Sequence, residues 1–161
     1  MKHAQRIRDH ARPYPVLVLQ LLTAAGLAYD ARIHFRLAPA YDQIRSSTLS
    51  QGDLFRVEAW LAVAAAVLVV LVSRPATALL AAAVAGGGLV PLLAYRYHDF
   101  GSLGPLPSMY EPAWFPDKTH TAMAQAVATL AALLLLAVLV RAGRKITRSP
   151  IPASSGSEDP S

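Results

Sequence analysis

Residues 121–140 read TAMAQAVATLAALLLLAVLV, an apolar run without a single charged side chain. At 1.5 Å per residue, a helix of this length crosses a hydrocarbon layer of roughly 30 Å. Three further apolar runs, at 14–29, 57–72 and 76–95, end in charges, prolines or aromatic residues. Residues 133–140 are apolar all round, whereas a helix of a soluble bundle keeps one charged face. The sequence therefore predicts an all-α membrane protein, a four-transmembrane-helix antiparallel bundle.

The ends of these runs give the domain boundaries. Residues 1–13 form a short basic N-terminus. Residues 149–161 are rich in Pro, Ser and acids and lack the apolar side chains to fold, so this tail is expected to be disordered. The transmembrane domain takes residues 14–148, with spans at about 14–37, 54–72, 76–95 and 118–140.

The composition excludes several classes of chemistry. The chain has no Cys, which rules out disulfides and thiolate catalysis, and it has no Asn to carry an N-glycan. Its Arg-, Ala- and Leu-rich composition is typical of a GC-rich bacterial genome. No basic, folded, water-facing surface is left for nucleic acid.

The basic residues predict an orientation. Nine of the fifteen Lys and Arg lie in the two termini and at Arg74, the predicted turn between the second and third helices. The excess of Lys and Arg on cytoplasmic segments then predicts that both termini are cytoplasmic, in a bacterial plasma membrane. The basic termini would also attract anionic lipid. A membrane-protein partner or a homo-oligomer is compatible with the pattern.

Ionisable residues gather toward the opposite, predicted outer side of the bundle. Glu58 is the strongest candidate, because it lies one turn inside a helix predicted to start at Leu54, and a carboxylate in an apolar span is a functional-site candidate. Burial would favour the protonated form that a proton carrier or general acid needs. The alternative is an interfacial Glu58 that either snorkels to the membrane surface or forms a salt bridge with Arg56 or Arg32. The predicted outer-face cluster is Asp30, His34, Glu58, His98, Glu111 and His120.

A polar stripe runs inside the predicted fourth helix. It consists of polar residues that recur every four positions and so share one face: Thr121, Gln125 and Thr129. The first helix could supply hydrogen-bond partners for them through Gln20 and Thr23. The stripe is interpreted as interhelical hydrogen bonding, with a hydrated path from the outer site as the alternative.

Metal and cofactor motifs are missing. His34, His98 and His120 could meet near two carboxylates and bind zinc or copper, but no H-x-x-x-H or H-E-x-x-H spacing occurs, so no metal site is predicted. No G-x-S-x-G turn is present either. Gly86-Gly87-Gly88 lies inside an apolar helix and is interpreted as packing. No cofactor is implied.

The segment from Phe100 to Pro116 is rich in Pro and Gly and carries Tyr110, Trp114 and Phe115. Its prolines limit its freedom and its aromatic side chains have area to bury. It is therefore predicted to be an ordered loop over the outer mouth of the bundle. Asp117, directly after it, is predicted to cap the fourth helix.

Three strings carry a family resemblance: YDARIH at 29–34, GDLF at 52–55, and GPLPSMYEPAW at 104–114 followed by Lys118. With them, the chain resembles small four-helix integral membrane proteins of GC-rich Gram-positive bacteria over most of its length. The resemblance implies the fold but supplies no activity, so no functional residue is carried over. The layout is also similar to DoxX-like four-helix proteins, without a motif match.

Two functions remain as hypotheses. The first is a non-enzymatic accessory, binding or transport component that works at its outer face, and the absence of a recognisable catalytic set favours it. The alternative is a membrane enzyme acting on a lipid or quinone-like substrate, with Glu58 and His34 or His120 as acid and base. Convergence of these three side chains around one pocket would favour the enzyme.

Overall fold

The computed structural model describes residues 13–147, and the predicted basic N-terminus and disordered tail lie outside this range. The described chain is helical, which confirms the predicted fold class. It contains α1 (Tyr14–Leu37), a short 3-10 helix (Ala38–Tyr41), α2 (Gln51–Leu71), α3 (Pro75–Tyr97) and α4 (Pro116–Thr147). All four α-helices are long and apolar enough to cross a membrane.

The helices run alternately up and down and close into a ring. Helix α1 packs against α2 and α4, and α3 packs against α4 and, less extensively, α2, so that α1 and α3 are diagonal. The α1–α2 and α3–α4 connections lie at one end of the bundle, called here the loop end. The turn between α2 and α3 lies at the other, called the terminal end.

Alanine dominates the interior of the bundle. Its buried positions include Ala59, Ala62, Ala81, Ala85 and Ala128. Large apolar side chains instead point outward, where Trp60, Leu71, Leu79, Val90 and Leu130 are exposed. Small residues let helices approach closely in lipid, and the outward apolar side chains suit contact with acyl chains. This inverted arrangement is what a membrane bundle requires and a water-soluble bundle avoids.

Two contacts hold α1 in place. Gly26 lies so close to α4 that a Cβ there would be 2.8 Å from the Ala124 carbonyl oxygen. Toward the terminal end, Gln20 is fully buried and its Nε2 donates to the Val69 carbonyl oxygen (2.6 Å) and to Ser73 Oγ (2.9 Å). Hydrogen bonds between membrane helices of this kind are each worth roughly 0.6–2 kcal/mol.

The start of α2 lies earlier than the predicted span. Ser50 is the N-cap, because Ser50 Oγ accepts from the Asp53 amide and Asp53 Oδ2 accepts from the Ser50 amide. The helix therefore begins at Gln51, and Glu58 lies two turns inside it, roughly 10 Å from its first residue.

Arg56, on the same helix, donates two 2.8 Å hydrogen bonds to the carboxylate of Asp42, which lies in the α1–α2 connection. These bonds hold the pKa of Asp42 below its ordinary value.

The start of α4 also differs from the prediction. The helix begins at Pro116, whose missing N–H suits the first turn. Asp117 therefore lies inside the helix, and its prediction as the N-cap is wrong. Its carboxylate instead pairs with Arg36, which ties α4 to α1 at the loop end.

Candidate functional site

A cavity of about 200 Å³ lies inside the loop end of the bundle. All four helices contribute to it, and its walls are mostly apolar. Polar side chains of the lining include His34, Gln51, Glu58, Thr121 and Gln125, and the paired charges of Glu111 and Lys118. The remaining side chains that matter below are Tyr41, Phe55, Tyr95 and Phe115.

Glu58 and Gln125 converge on this cavity from opposite helices. A Cβ placed on Gly88 of α3 would lie within 3.0 Å of both Glu58 Oε1 and Gln125 Nε2, so the two polar groups are neighbours in the space that this glycine leaves open. Gly88 was interpreted from sequence as a packing residue. In the structure it gives room to polar atoms.

Several of these polar atoms are buried without a hydrogen-bond partner in the described part of the chain. They are Glu58 Oε1, Gln51 Oε1, Thr121 Oγ1 and both amide atoms of Gln125. Gln125 is only 1% exposed and Thr121 5%. A buried polar group without a partner costs about 1–3 kcal/mol. Five such atoms around one cavity are therefore typical of a binding site and not of a packed core.

Glu58 forms no salt bridge with Arg56 or Arg32 in the described part of the chain, which counts against the salt-bridged form of the interfacial alternative. No ion pair found within residues 13–147 includes it. Arg56 is committed to Asp42 and Asp53, and Arg32 is exposed. Glu58 does lie close enough to His34 and Asp30 to interact with the charges of both.

His34 lines the cavity with a carboxylate behind it. Its Nδ1 lies 3.1 Å from the Asp30 carbonyl oxygen and 3.0 Å from Asp30 Oδ1. Both neighbours are acceptors, so Nδ1 carries the hydrogen. Asp30 is fully buried. Its Oδ1 is at ion-pair distance from His34 Nδ1, but neither of its carboxyl oxygens has a hydrogen bond of acceptable geometry among the described residues. The imidazole ring also packs against the Phe55 ring in a T-shaped arrangement, with 5.1 Å between the ring centroids.

The connection between α3 and α4, residues 98–115, covers the cavity and is called here the cover. Glu111 attaches the cover to the bundle. Its Oε2 accepts a 2.9 Å hydrogen bond from Tyr41 and forms a salt bridge with Lys118, whose Nζ lies 2.7 Å away. Lys118 also donates to two carbonyl oxygens of the cover, and Arg96 stacks over the Trp114 ring at 4.2 Å. Contacts with the short 3-10 helix, α3 and α4 therefore hold the cover in place, as an ordered loop requires.

The six members of the predicted outer-face cluster do not all meet. His34, Glu58 and Glu111 line the cavity, and Asp30 lies directly behind His34. His98 is exposed and packs on Phe100, and His120 is exposed beside Tyr29. Of the three candidate catalytic residues, the cavity thus brings together Glu58 and His34 but not His120.

The histidines also fail to assemble a metal centre. Within the part of the chain that the structure describes, no group of three or more His, Asp or Glu side chains is placed to hold a metal ion.

The predicted polar stripe is divided in two. Thr121 and Gln125 line the cavity, whereas the Thr129 hydroxyl donates to the Gln125 carbonyl oxygen within its own helix. The Gln20 amide donates to the Val69 carbonyl oxygen of α2 and to Ser73 Oγ in the turn that follows. Thr23 donates to the Leu19 carbonyl oxygen of its own helix. The interior therefore has separate polar contacts rather than one continuous stripe.

Sequence reasoning missed Gln51 and Tyr41 as members of the site. Gln51 was assigned to a polar loop, and only the Ser50 capping box, by moving the helix start, turns its side chain into the bundle. Tyr41 had no signal of its own, because its role depends on Glu111, seventy residues away.

The fold and the cavity define a class: a four-helix bundle built to span a membrane, with a covered polar cavity at one end. Comparisons with protein-family models, curated proteins and solved structures found no match for the chain.

Proposed function

We propose that this chain is a small-molecule-binding component of a membrane and that its ligand occupies the loop-end cavity. The observation that supports this most is the set of buried, unpartnered polar atoms on Glu58, Gln125 and Thr121, all lining one cavity. A protein tolerates such groups at a site where a ligand supplies the missing partners. An apolar cavity with a few convergent polar groups is the usual form of a small-molecule site.

Native mass spectrometry of protein extracted from native membranes tests the proposal. Gly88→Leu places an apolar side chain where Glu58 and Gln125 meet, and it should abolish a bound small molecule. Gly86→Ala is the matched control, because a Cβ there meets only ordinary contacts with Thr129, at 3.7 Å. A wild-type protein that carries no small molecule beyond bulk phospholipid, or a ligand retained by Gly88→Leu, would contradict the proposal.

We propose further that both termini face the cytoplasm of a bacterial plasma membrane, which puts the cover and cavity on the outer side. The support is the excess of Lys and Arg in the two termini and the α2–α3 turn. Reporter fusions at the two termini should give the cytoplasmic signal. A signal from the far side at either terminus would overturn the orientation.

The enzymatic alternative has one specific observation in its favour. His34 and Glu58 share the cavity, and the Asp30 carboxylate lies 3.0 Å behind the His34 imidazole, the order of groups found in acid–base pairs. In that case the molecule recovered from wild-type protein would include a chemically converted form. Glu58→Gln would leave it unconverted but still bound, whereas an unchanged molecule in both would favour binding alone.

A further inference from the structure

We infer that the ligand of the loop-end cavity is a hydroxyl-bearing aromatic ring of about one six-membered ring in size. The inference depends on the proposed function and specifies the ligand class. It combines the size of the cavity, the character of its walls and the position of its unpartnered acceptor.

The size of the cavity limits the ligand. Its volume is about 200 Å³. An apolar protein cavity of roughly 150 Å³ binds benzene, whereas drug-sized ligands need about 300 Å³ or more. The space therefore suits a ligand close to one substituted six-membered ring in size and is too small for a drug-sized molecule.

The walls favour an aromatic ring over a polar ligand of the same size. Phe55, Tyr95 and Phe115 come from three different parts of the chain and line the same space. Aromatic rings pack against one another edge to face or offset, with a gain beyond the area that they bury. A strongly hydrated ligand would leave most of its polar groups unpaired against such walls.

The polar wall specifies a hydrogen-bond donor on the ring. Glu58 Oε1 is a buried acceptor without a partner, and it adjoins the Gln125 amide, which can both donate and accept. A hydroxyl group matches this pair, because it donates to the carboxylate and accepts from the amide. The other ionisable groups of the lining compete less for the ligand, since Lys118 and Glu111 pair with each other.

The proposed route by which a ring enters from lipid is a lateral opening at Gly87. Gly87 lines the cavity and is exposed, and a Cβ there would meet no other side chain within 4 Å. A small exposed residue in the cavity wall is the place where such an opening to the lipid side of α3 would lie. The same ring chemistry can come from a free phenol or from the head of a lipid-soluble molecule whose alkyl tail leaves through this opening.

The test measures binding of matched probes to the full chain in lipid nanodiscs by isothermal titration calorimetry. The probes are 4-methylphenol, toluene and 4-methylbenzylamine, which share a ring but differ in the polar group. Wild-type protein should bind 4-methylphenol at least about tenfold more tightly than toluene, which corresponds to one hydrogen bond of about 1.4 kcal/mol. Glu58→Leu should reduce this preference to less than about threefold. Because every probe partitions into lipid equally for each variant, the comparison between variants isolates the site.

The outcomes separate the ligand class from the proposed function. Equal binding of toluene and 4-methylphenol, tighter binding of the amine, or no binding of any probe would overturn the hydroxyl-ring inference. If a native molecule were nevertheless lost from Gly88→Leu, the proposed function would stand with a different ligand. Gly86→Ala should bind all probes as the wild type does.

A second pair of probes identifies the source of the ring. If it is the head of a lipid-soluble molecule, Gly87→Trp should weaken 4-decylphenol about tenfold and leave 4-methylphenol unchanged. If Gly87→Trp affects neither probe, a free phenol is the ligand and the lateral opening plays no part. Weakening of both probes alike would mean that the substitution collapses the cavity, and the smaller Gly87→Leu would then replace it.

Discussion

Two buried glutamines allow a direct test of the unpartnered site. Gln20 and Gln125 are 0% and 1% exposed, but among residues 13–147 hydrogen-bond partners are found for the side-chain amide hydrogens of Gln20 and not for those of Gln125. Gln20→Leu removes two hydrogen bonds and should cost roughly 1–3 kcal/mol. Gln125→Leu removes a buried amide without partners, whose burial costs roughly 1–3 kcal/mol, and adds apolar contacts, so it should stabilise the fold. The same substitution should therefore have opposite signs at the two sites.

Thermal unfolding in detergent, followed by fluorescence-detected size exclusion, measures this difference. For a chain of this size, 1 kcal/mol corresponds to roughly 2–4 °C in Tm, so the two variants should differ by at least about 4 °C. The design controls for residue type, burial and helix propensity, because both changes are Gln to Leu inside a helix. A loss at Gln125 equal to that at Gln20 would refute the reasoning, since it would mean that Gln125 has a protein partner of similar strength.

Three further perturbations test other parts of the structure. Gly52→Ala should lower Tm by several degrees, because the new Cβ would lie within 3.0 Å of a backbone carbonyl oxygen. The control is Gly143→Ala, where the new Cβ would meet nothing within 4 Å, so Tm should stay unchanged or rise. Glu111→Ala should make the cover about tenfold more sensitive to chymotrypsin, and unchanged cutting would show that the cover is held by other contacts. Asp42→Asn should lower Tm by a constant amount between about pH 8 and pH 5. Because Arg56 holds the pKa of Asp42 below its ordinary value, that difference should begin to shrink as the pH falls below about 4, where the carboxylate of the unfolded chain takes up a proton and that of the folded chain is still ionised. The difference should vanish once the pH lies below the lowered pKa of the folded state, and a difference that persists there would count against the ion pair.

The sequence predicted the fold because hydrophobic length alone decides it. The uncharged run at 121–140 is long enough to cross lipid, and in lipid a helix is one of only two ways to satisfy the backbone. The helix ends were less predictable, because they depend on capping geometry. Asp53 and Ser50 both have the chemistry of a cap, and only their mutual hydrogen bonds identify Ser50 as the residue that starts α2.

The candidate site was predictable one residue at a time but not as an arrangement. Glu58 could be found because a carboxylate inside an apolar run is costly anywhere. The neighbours of Glu58 could not be found, since Gln125 and Gly88 meet it only through the packing of three helices. The four-residue spacing of the polar positions on α4 indicated a shared face, but a spacing does not say which helix that face meets. The two hydrogen bonds from Gln20 to α2 and the turn after it were therefore not predicted.

An experimental structure of the chain, purified with its native membrane lipids, tests the central claim most directly. The account predicts non-protein density in the loop-end cavity, within hydrogen-bond distance of Glu58 Oε1 and the Gln125 amide. A cavity closed by protein, with Glu58 turned outward to an arginine or to the lipid surface, would contradict it.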